Sequence, residues 1–206
     1  MCGITGFLNF SKNNPDAFGQ LQSMVSILNH RGPDECGIYL DDHAALGHAR
    51  LSIIDLSTGT QPLHNEDQSM WIVFNGEIFN YRELRKELEI SGHHFYTTSD
   101  TEVLIHLYEE KGISCLQDLN GQFAFAVWDS KKKILFLARD RVGIRPLHYT
   151  FHNSTFYFAS EIKSIFASNR VPREIDPIAL EQIFTVWTPL PGKTAFKNIS
   201  ELKPGH

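Results

Sequence analysis

Met1-Cys2-Gly3-Ile4-Thr5-Gly6-Phe7 opens the chain. The stretch has no basic leader and no sustained apolar core, so it does not read as a secretory signal, and residue 2 is expected to start the mature protein. A first β-strand is expected around Ile4 to Phe10, with a cysteine at its entrance, closed by Asn9, Lys12 and Asn13-Asn14-Pro15-Asp16. Leu21, Met24, Val25 and Leu28 then recur at helical spacing up to a stop at His30-Arg31-Gly32-Pro33. Short β-type runs follow at Cys36 to Leu40, Ala44 to Ile54 and Met70 to Phe74, and are expected to share one sheet. Tyr81, Leu84 and Leu88 mark a helix ended by Gly92. Ser99-Asp100-Thr101-Glu102 reads as a capping box that opens a second helix packed on the first. Gln122 to Asp129 pairs with Ile134 to Arg139, and Leu147 to Phe151 with Thr155 to Ala159, which predicts a second, hairpin-rich sheet. Asp176-Pro177 starts a last helix running to Trp187. Two antiparallel sheets with helices gathered in blocks outside them imply a layered α+β domain rather than a βαβ nucleotide fold.

Composition narrows the function. The 206 residues carry 19 Lys+Arg against 24 Asp+Glu, a net charge of −5 with the basic residues scattered, which offers no footprint for nucleic acid or an anionic membrane. The longest apolar run, Phe123 to Trp128, is strand-sized, so no membrane span is expected and the chain is expected to be cytoplasmic. Three widely spaced cysteines, Cys2, Cys36 and Cys115, fit neither a disulfide framework nor a zinc ribbon. The histidines form no H-E-x-x-H spacing, and G-x-x-x-x-G-K-[ST] is absent, so neither a metal nor a P-loop cofactor is expected in this segment.

Cys2 carries the strongest chemical signal. Loss of Met1 would place a free α-amine, with a pKa of about 7.7–8.0, on the residue that holds the thiol, so one residue would supply nucleophile and base. The alternative is a small buried strand thiol. Gly3 and Gly6 would leave the backbone around the thiol open to a ligand. Asn75-Gly76 reads either as a hairpin turn or as two donors for a developing oxyanion, and Glu77 beside it suits an ammonium group. Arg50, set among apolar residues, requires a carboxylate from within the protein or from a ligand. Asp100 is either a helix-start carboxylate or, with Ser99 as the cap, free to receive a cation. The charged turns at His30 to Asp34 and Arg139 to Leu147 are read as solvated or salt-bridged loops without a catalytic step.

Taken in order, Met1-Cys2-Gly3-Ile4, His30 to Asp34, Arg50 to Ile54, Phe74-Asn75-Gly76-Glu77-Ile78, Ser99 to Glu102 and Arg139 to Gly143 resemble the class II glutamine amidotransferases. The resemblance covers nearly the whole chain. Gln61-Pro62-Leu63 and Ala159-Ser160-Glu161-Ile162-Lys163 narrow it to the N-terminal glutaminase domains of glutamine-hydrolysing asparagine synthetases. It implies a four-layer αββα N-terminal nucleophile hydrolase fold. It further implies that Cys2 attacks the side-chain amide of L-glutamine, with Asn75 and Gly76 as oxyanion donors. Arg50 would hold the substrate carboxylate and Glu77 and Asp100 its ammonium, with backbone near Leu51, Ile53 and Ile54 lining the pocket. Residues 1–187 would form the glutaminase domain and 188–206 a linker. A synthetase domain beyond residue 206 would use ATP and Mg²⁺ to amidate aspartate, and Trp187 with Pro189 to Pro191 would face it. A homodimer is compatible with this reading. Its rivals are an amidotransferase with another acceptor, a glutamine-binding module without catalysis, and a structural domain in which Arg50, Glu77 and Asp100 pair internally.

Overall fold

The computed structural model describes residues 1–10, 15–55 and 57–206. Six strands form one antiparallel sheet: β1 (Gly3–Asn9), β2 (Glu35–Leu40), β3 (Ala44–Arg50), β8 (His148–His152), β9 (Thr155–Ala159) and β10 (Ser200–Glu201), in the order β10-β8-β9-β1-β3-β2. The other four, β4 (Leu63–His64), β5 (Met70–Ile78), β6 (Gly121–Asp129) and β7 (Ile134–Arg139), form a second antiparallel sheet in chain order. The helices are α1 (Ala17–Ser26), α2 (Tyr81–Ile90), α3 (Asp100–Lys111), α4 (Ile162–Ala167) and α5 (Pro177–Val186).

The period of two along each strand stacks the layers. On β6, Phe123, Phe125 and Val127 turn outward onto Leu84, Leu88, Leu104 and Leu107 of α2 and α3. Ala124, Ala126 and Trp128 turn inward to meet Ile4, Leu8, Leu46 and Phe158 of the larger sheet. The outer face of that sheet, with Phe7, Ala45 and Tyr157, is covered by Leu21, Met24 and Val25 of α1 and Ile165 and Phe166 of α4. The result is helix, sheet, sheet, helix, each large apolar side chain contributing about 1.5–3 kcal/mol on burial.

The predicted partition of strands is wrong in detail. β2 and β3 lie in the larger sheet and β5 in the smaller, and the β6–β7 and β8–β9 hairpins are divided between the two. Strands buried on both faces all read alike, and only pairing assigns them to a sheet. The strand expected over Ala44 to Ile54 ends at Arg50, while β5 runs straight through Asn75-Gly76 to Ile78, so no hairpin turn exists there. The capping box is half formed: Ser99 Oγ accepts from Thr101 N at 3.1 Å, but Glu102 turns back to the amides of Tyr96 and Thr97, both at 2.7 Å. Asp176 caps α5 as expected, accepting from Ile178 N and Ala179 N. The turn residues Lys12, Asn13 and Asn14 lie outside the described residues. Among the described residues no helix is long and apolar enough to cross a membrane.

Candidate active site

The inward faces of the two sheets end together at one rim of the sandwich. Ala44, Leu46, His48 and Arg50 share a face of β3, Val73, Asn75 and Glu77 share a face of β5, and Cys2 precedes β1 in the register that places Ile4 inward. A cleft of about 570 Å³, open to solvent, lies there. Cys2, Arg50, Leu51, Ile53, Ile54, Asn75, Gly76, Glu77 and Asp100 all line it, so every site residue expected from the sequence converges on one place.

Cys2 Sγ sits against the backbone of Leu51, 3.4 Å from its amide nitrogen and 3.5 Å from its carbonyl oxygen. Burial pushes the thiol pKa upward, outweighing the Leu51 amide and the cationic Arg50 and Arg145. The thiol is therefore protonated at neutral pH and needs a base to become a nucleophile. Arg31 Nε fixes the Cys2 carbonyl at 2.9 Å and its Nη1 meets Glu161 at 2.8 Å. Asp34 accepts from Ser52 N at 2.8 Å, so the charged turn at residues 30–34 braces both sides of the thiol. Gly3 and Gly6 do not open a path for a ligand. A Cβ at Gly3 would lie 3.0 Å from Leu28, and one at Gly6 2.3 Å from the Ala45 carbonyl, so packing between layers explains both.

Asn75 is 1% exposed, and its Nδ2 finds no hydrogen-bond partner among the described residues. Gly76 faces the same space through its backbone. Phe74 N and Ile78 N, two residues to either side, donate to Gln61 Oε1 at 2.6 Å and Asp100 Oδ2 at 3.0 Å, so the Gly76 N–H between them points away from β6 into the cleft. A Cβ at Gly76 would come within 2.2 Å of the Gln122 carbonyl oxygen, which makes glycine obligatory here.

Arg50 is buried and held by Glu35 Oε2 at 2.7 Å and by the carbonyls of Ile54, at 3.3 Å, and Asp55. It has the internal carboxylate that burial demands, and three of its five N–H donors are engaged. Asp100 lies across the cleft beside Glu77. Burial pushes its pKa up to about 6, the Ile78 amide opposing and the Glu77 carboxylate reinforcing that rise. Two neighbouring carboxylates on a cleft wall favour a bound cation.

Two residues that line or support the cleft, Gln61 and His48, are given no role by the sequence reading. Gln61, joined to Pro62 by a cis peptide bond, spans from the Phe74 amide to Thr101 Oγ1 at 3.2 Å. Its place in the Gln61-Pro62-Leu63 motif is the available hint. His48, fully buried and 3.1 Å from the Phe74 carbonyl, has its pKa driven down to about 4 chiefly by burial, so it is neutral and serves the packing between sheets.

A thiol near the start of the chain, a buried amide without a partner among the described residues and a carboxylate pair thus share one cleft of a four-layer sandwich, a combination suited to attack on a carbonyl. In agreement, the glutamine amidotransferase domain family matches residues 1–206, and the chain belongs to it. It is 43% identical over 209 residues to asparagine synthetase [glutamine-hydrolyzing] 3 of Bacillus subtilis (strain 168), covering all of this chain and 34% of that protein. It is 37% identical over 218 residues to amidase chry2 of Gibberella zeae, covering all of this chain and 32% of the relative. The chain thus spans about a third of the length of these curated relatives. The solved structure titled as the allosteric regulatory enzyme of purine biosynthesis matches with a TM-score of 0.70 at 24% identity, over 86% of this chain and 46% of that one, which bears on the fold.

Proposed function

We propose that this domain hydrolyses the side-chain amide of free L-glutamine through Cys2, giving glutamate and ammonia. The observation that carries the proposal is the Nδ2 of Asn75, a buried donor without a partner on the wall of the cleft that holds the thiol. A buried N–H left unpaired costs about 1–3 kcal/mol, a penalty that a negatively charged oxygen relieves during reaction.

With Met1 removed, the Cys2 α-amine takes the thiol proton and sulfur bonds to the amide carbon. The carbonyl oxygen becomes an oxyanion held by Asn75 Nδ2 and the Gly76 N–H. Collapse breaks the C–N bond, the α-ammonium gives its proton to the leaving nitrogen, and ammonia departs from a glutamyl thioester. Water, deprotonated by the same amine, then releases glutamate. The remaining donors of Arg50 take the substrate α-carboxylate and Glu77 with Asp100 its α-ammonium. A peptide-bound glutamine lacks both charges and is excluded.

The test is ammonia release from L-glutamine by protein whose intact mass proves loss of Met1, beside Cys2→Ala. The processed protein is expected to turn over and the variant to be inert. Turnover by Cys2→Ala, or none by processed protein that binds glutamine, would overturn the mechanism.

For the whole protein we propose that the ammonia is used by an ATP- and Mg²⁺-dependent domain outside this segment to amidate aspartate, in line with the curated synthetase relatives. The solvent-facing Phe184, Trp187 and Leu190 on and after α5 suit contact with such a domain. The amidase relative favours a second reading, in which another acid accepts the ammonia. Assay of the full-length protein with aspartate against other acids separates the two. Three free thiols suit a reducing compartment such as the cytoplasm.

A further inference from the structure

About two turns along α3 from the cleft, the fold gathers four side chains that glutamine chemistry does not use. We propose that Glu66, His93, His106 and Glu109 form a binding site for one zinc-like divalent ion that clasps the β4–β5 loop, the α2–α3 connection and α3.

The donor atoms of these four residues lie within 4.8 Å of one another. His93 Nδ1 is 3.4 Å from Glu66 Oε1 and 3.8 Å from Glu109 Oε2. His106 Nδ1 is 3.4 Å from Glu66 Oε2 and 3.5 Å from Glu109 Oε2. A tetrahedral ion with ligands at about 2.0–2.2 Å sets its donors about 3.3–3.6 Å apart, close to these spacings. Two imidazoles and two carboxylates are a zinc-type set, and two carboxylates neutralise a divalent charge.

The surroundings point the same way. His93 Nε2 lies 2.9 Å from Glu110 Oε1, and His106 Nε2 lies 3.7 Å from Glu102 Oε1. Each ring therefore faces carboxylate oxygens with both nitrogens. A neutral imidazole has one N–H and can donate on one side only. An ion at Nδ1 lets Nε2–H serve the outer carboxylate, the arrangement that orients metal-bound histidines. The rings stand 4.7 Å apart between centroids, close for two imidazolium cations and ordinary for two ligands of one ion. The carboxylates are also preset: Asn65 Nδ2 donates to Glu109 Oε1 at 2.9 Å and His94 N to Glu66 Oε1 at 3.1 Å. The side chain of His106 is fully buried, whereas Glu66 and Glu109 are 37% and 30% exposed, so an ion can enter from solvent.

The role that follows is structural. Glu102, behind His106, also accepts from Tyr96 N and Thr97 N, and Thr97 Oγ1 accepts from Ser99 N at 3.1 Å. The ion would thus steady the start of α3, where Ser99, Asp100 and Thr101 border the cleft.

The experiment titrates Zn²⁺ into the EDTA-treated 206-residue chain by calorimetry, in a Cys2→Ser background so that this thiol cannot bind the metal. Thermal melts are run with and without Zn²⁺. The expected result is one ion per chain, saturating in the micromolar range or below, a melting temperature raised by several degrees, and a tetrahedral visible spectrum with Co²⁺. Glu109→Gln and His93→Gln are expected to weaken binding at least about 100-fold while melting like the parent in EDTA, and Glu110→Gln to weaken it about 10-fold. Absence of saturable 1:1 binding, or equal affinity in parent and Glu109→Gln, would overturn the proposal. A variant that fails to fold in EDTA leaves the parent titration and Glu110→Gln to decide.

Discussion

Asp100, the first residue of α3, and Asp140, just after β7, are both buried aspartates, 4% and 1% exposed, and the protein treats them in opposite ways. Asp140 Oδ1 accepts from the amides of Val142, Gly143 and Ile144, and Oδ2 from those of Phe123 and Arg145. Burial opposes its ionisation, but these amides prevail and hold the carboxyl below its usual range. Arg139 closes the same turn through Glu201 and the carbonyls of Gly143, Arg145 and Leu202. Asp100 accepts one firm backbone bond, from Ile78 N, and faces Glu77, so burial wins and its pKa rises to about 6. A charge with all its partners supplied shapes the chain, whereas a charge left short of partners is prepared for a ligand. Asn75, with its unpaired Nδ2, belongs with Asp100.

The contrast can be tested by removing groups on each side of it. Asp140→Ala strands five amides and is expected to destabilise the fold by about 4 kcal/mol, lowering the melting temperature by about 10 °C. A loss below 1 kcal/mol in urea unfolding would erase the distinction. Asn75→Ala removes a donor that the resting protein does not use. It is expected to leave the melting temperature within a degree or two while kcat for glutamine falls about 10²–10³-fold.

Asp100→Asn should separate stability from binding. The folded carboxyl holds its proton more tightly than the unfolded one, so stability falls as pH rises from 3.8 to about 6 and the penalty is complete above that. Asparagine keeps an acceptor for Ile78 N without the charge. The variant is expected to be more stable than the parent at pH 8 by up to about 3 kcal/mol and equal to it near pH 4, with KM raised 10-fold or more. Lower stability at pH 8 would contradict the origin given for the raised pKa. The smallest effect lies in the parent protein: KM for glutamine should rise a few-fold as pH falls through about 6, where protonation removes the ammonium partner. A KM flat from pH 5 to 8 would take Asp100 out of substrate binding.

Much of this was legible in the chain. Leu21, Met24, Val25 and Leu28 mark α1 by spacing, Ser99 and Asp176 mark helix starts by their caps, and the strand-sized apolar run from Phe123 to Trp128 marks β6. Of the nine residues on the cleft, Arg50 stands out as a charge set among apolar residues and Cys2 by its place behind the initiator methionine, whereas Leu51, Ile53 and Ile54 are named through the family resemblance alone. Glu35, which neutralises Arg50, could not be named, since an acidic residue on an exposed-looking run carries no mark until β2 pairs with β3 at Glu35 and Arg50. Gln61 and Thr101 meet across forty residues for the same reason.

The sequence by itself determined most of the strands and helices and the kinds of chemistry present, because backbone period and side-chain type are local properties. Tertiary structure alone decided which strands share a sheet, that Asn75-Gly76 lies in mid-strand, and that Glu66, His93, His106 and Glu109 meet. Those outcomes depend on which distant strand or helix supplies the missing hydrogen bonds and covers the apolar face, a choice made only when the layers close on one another.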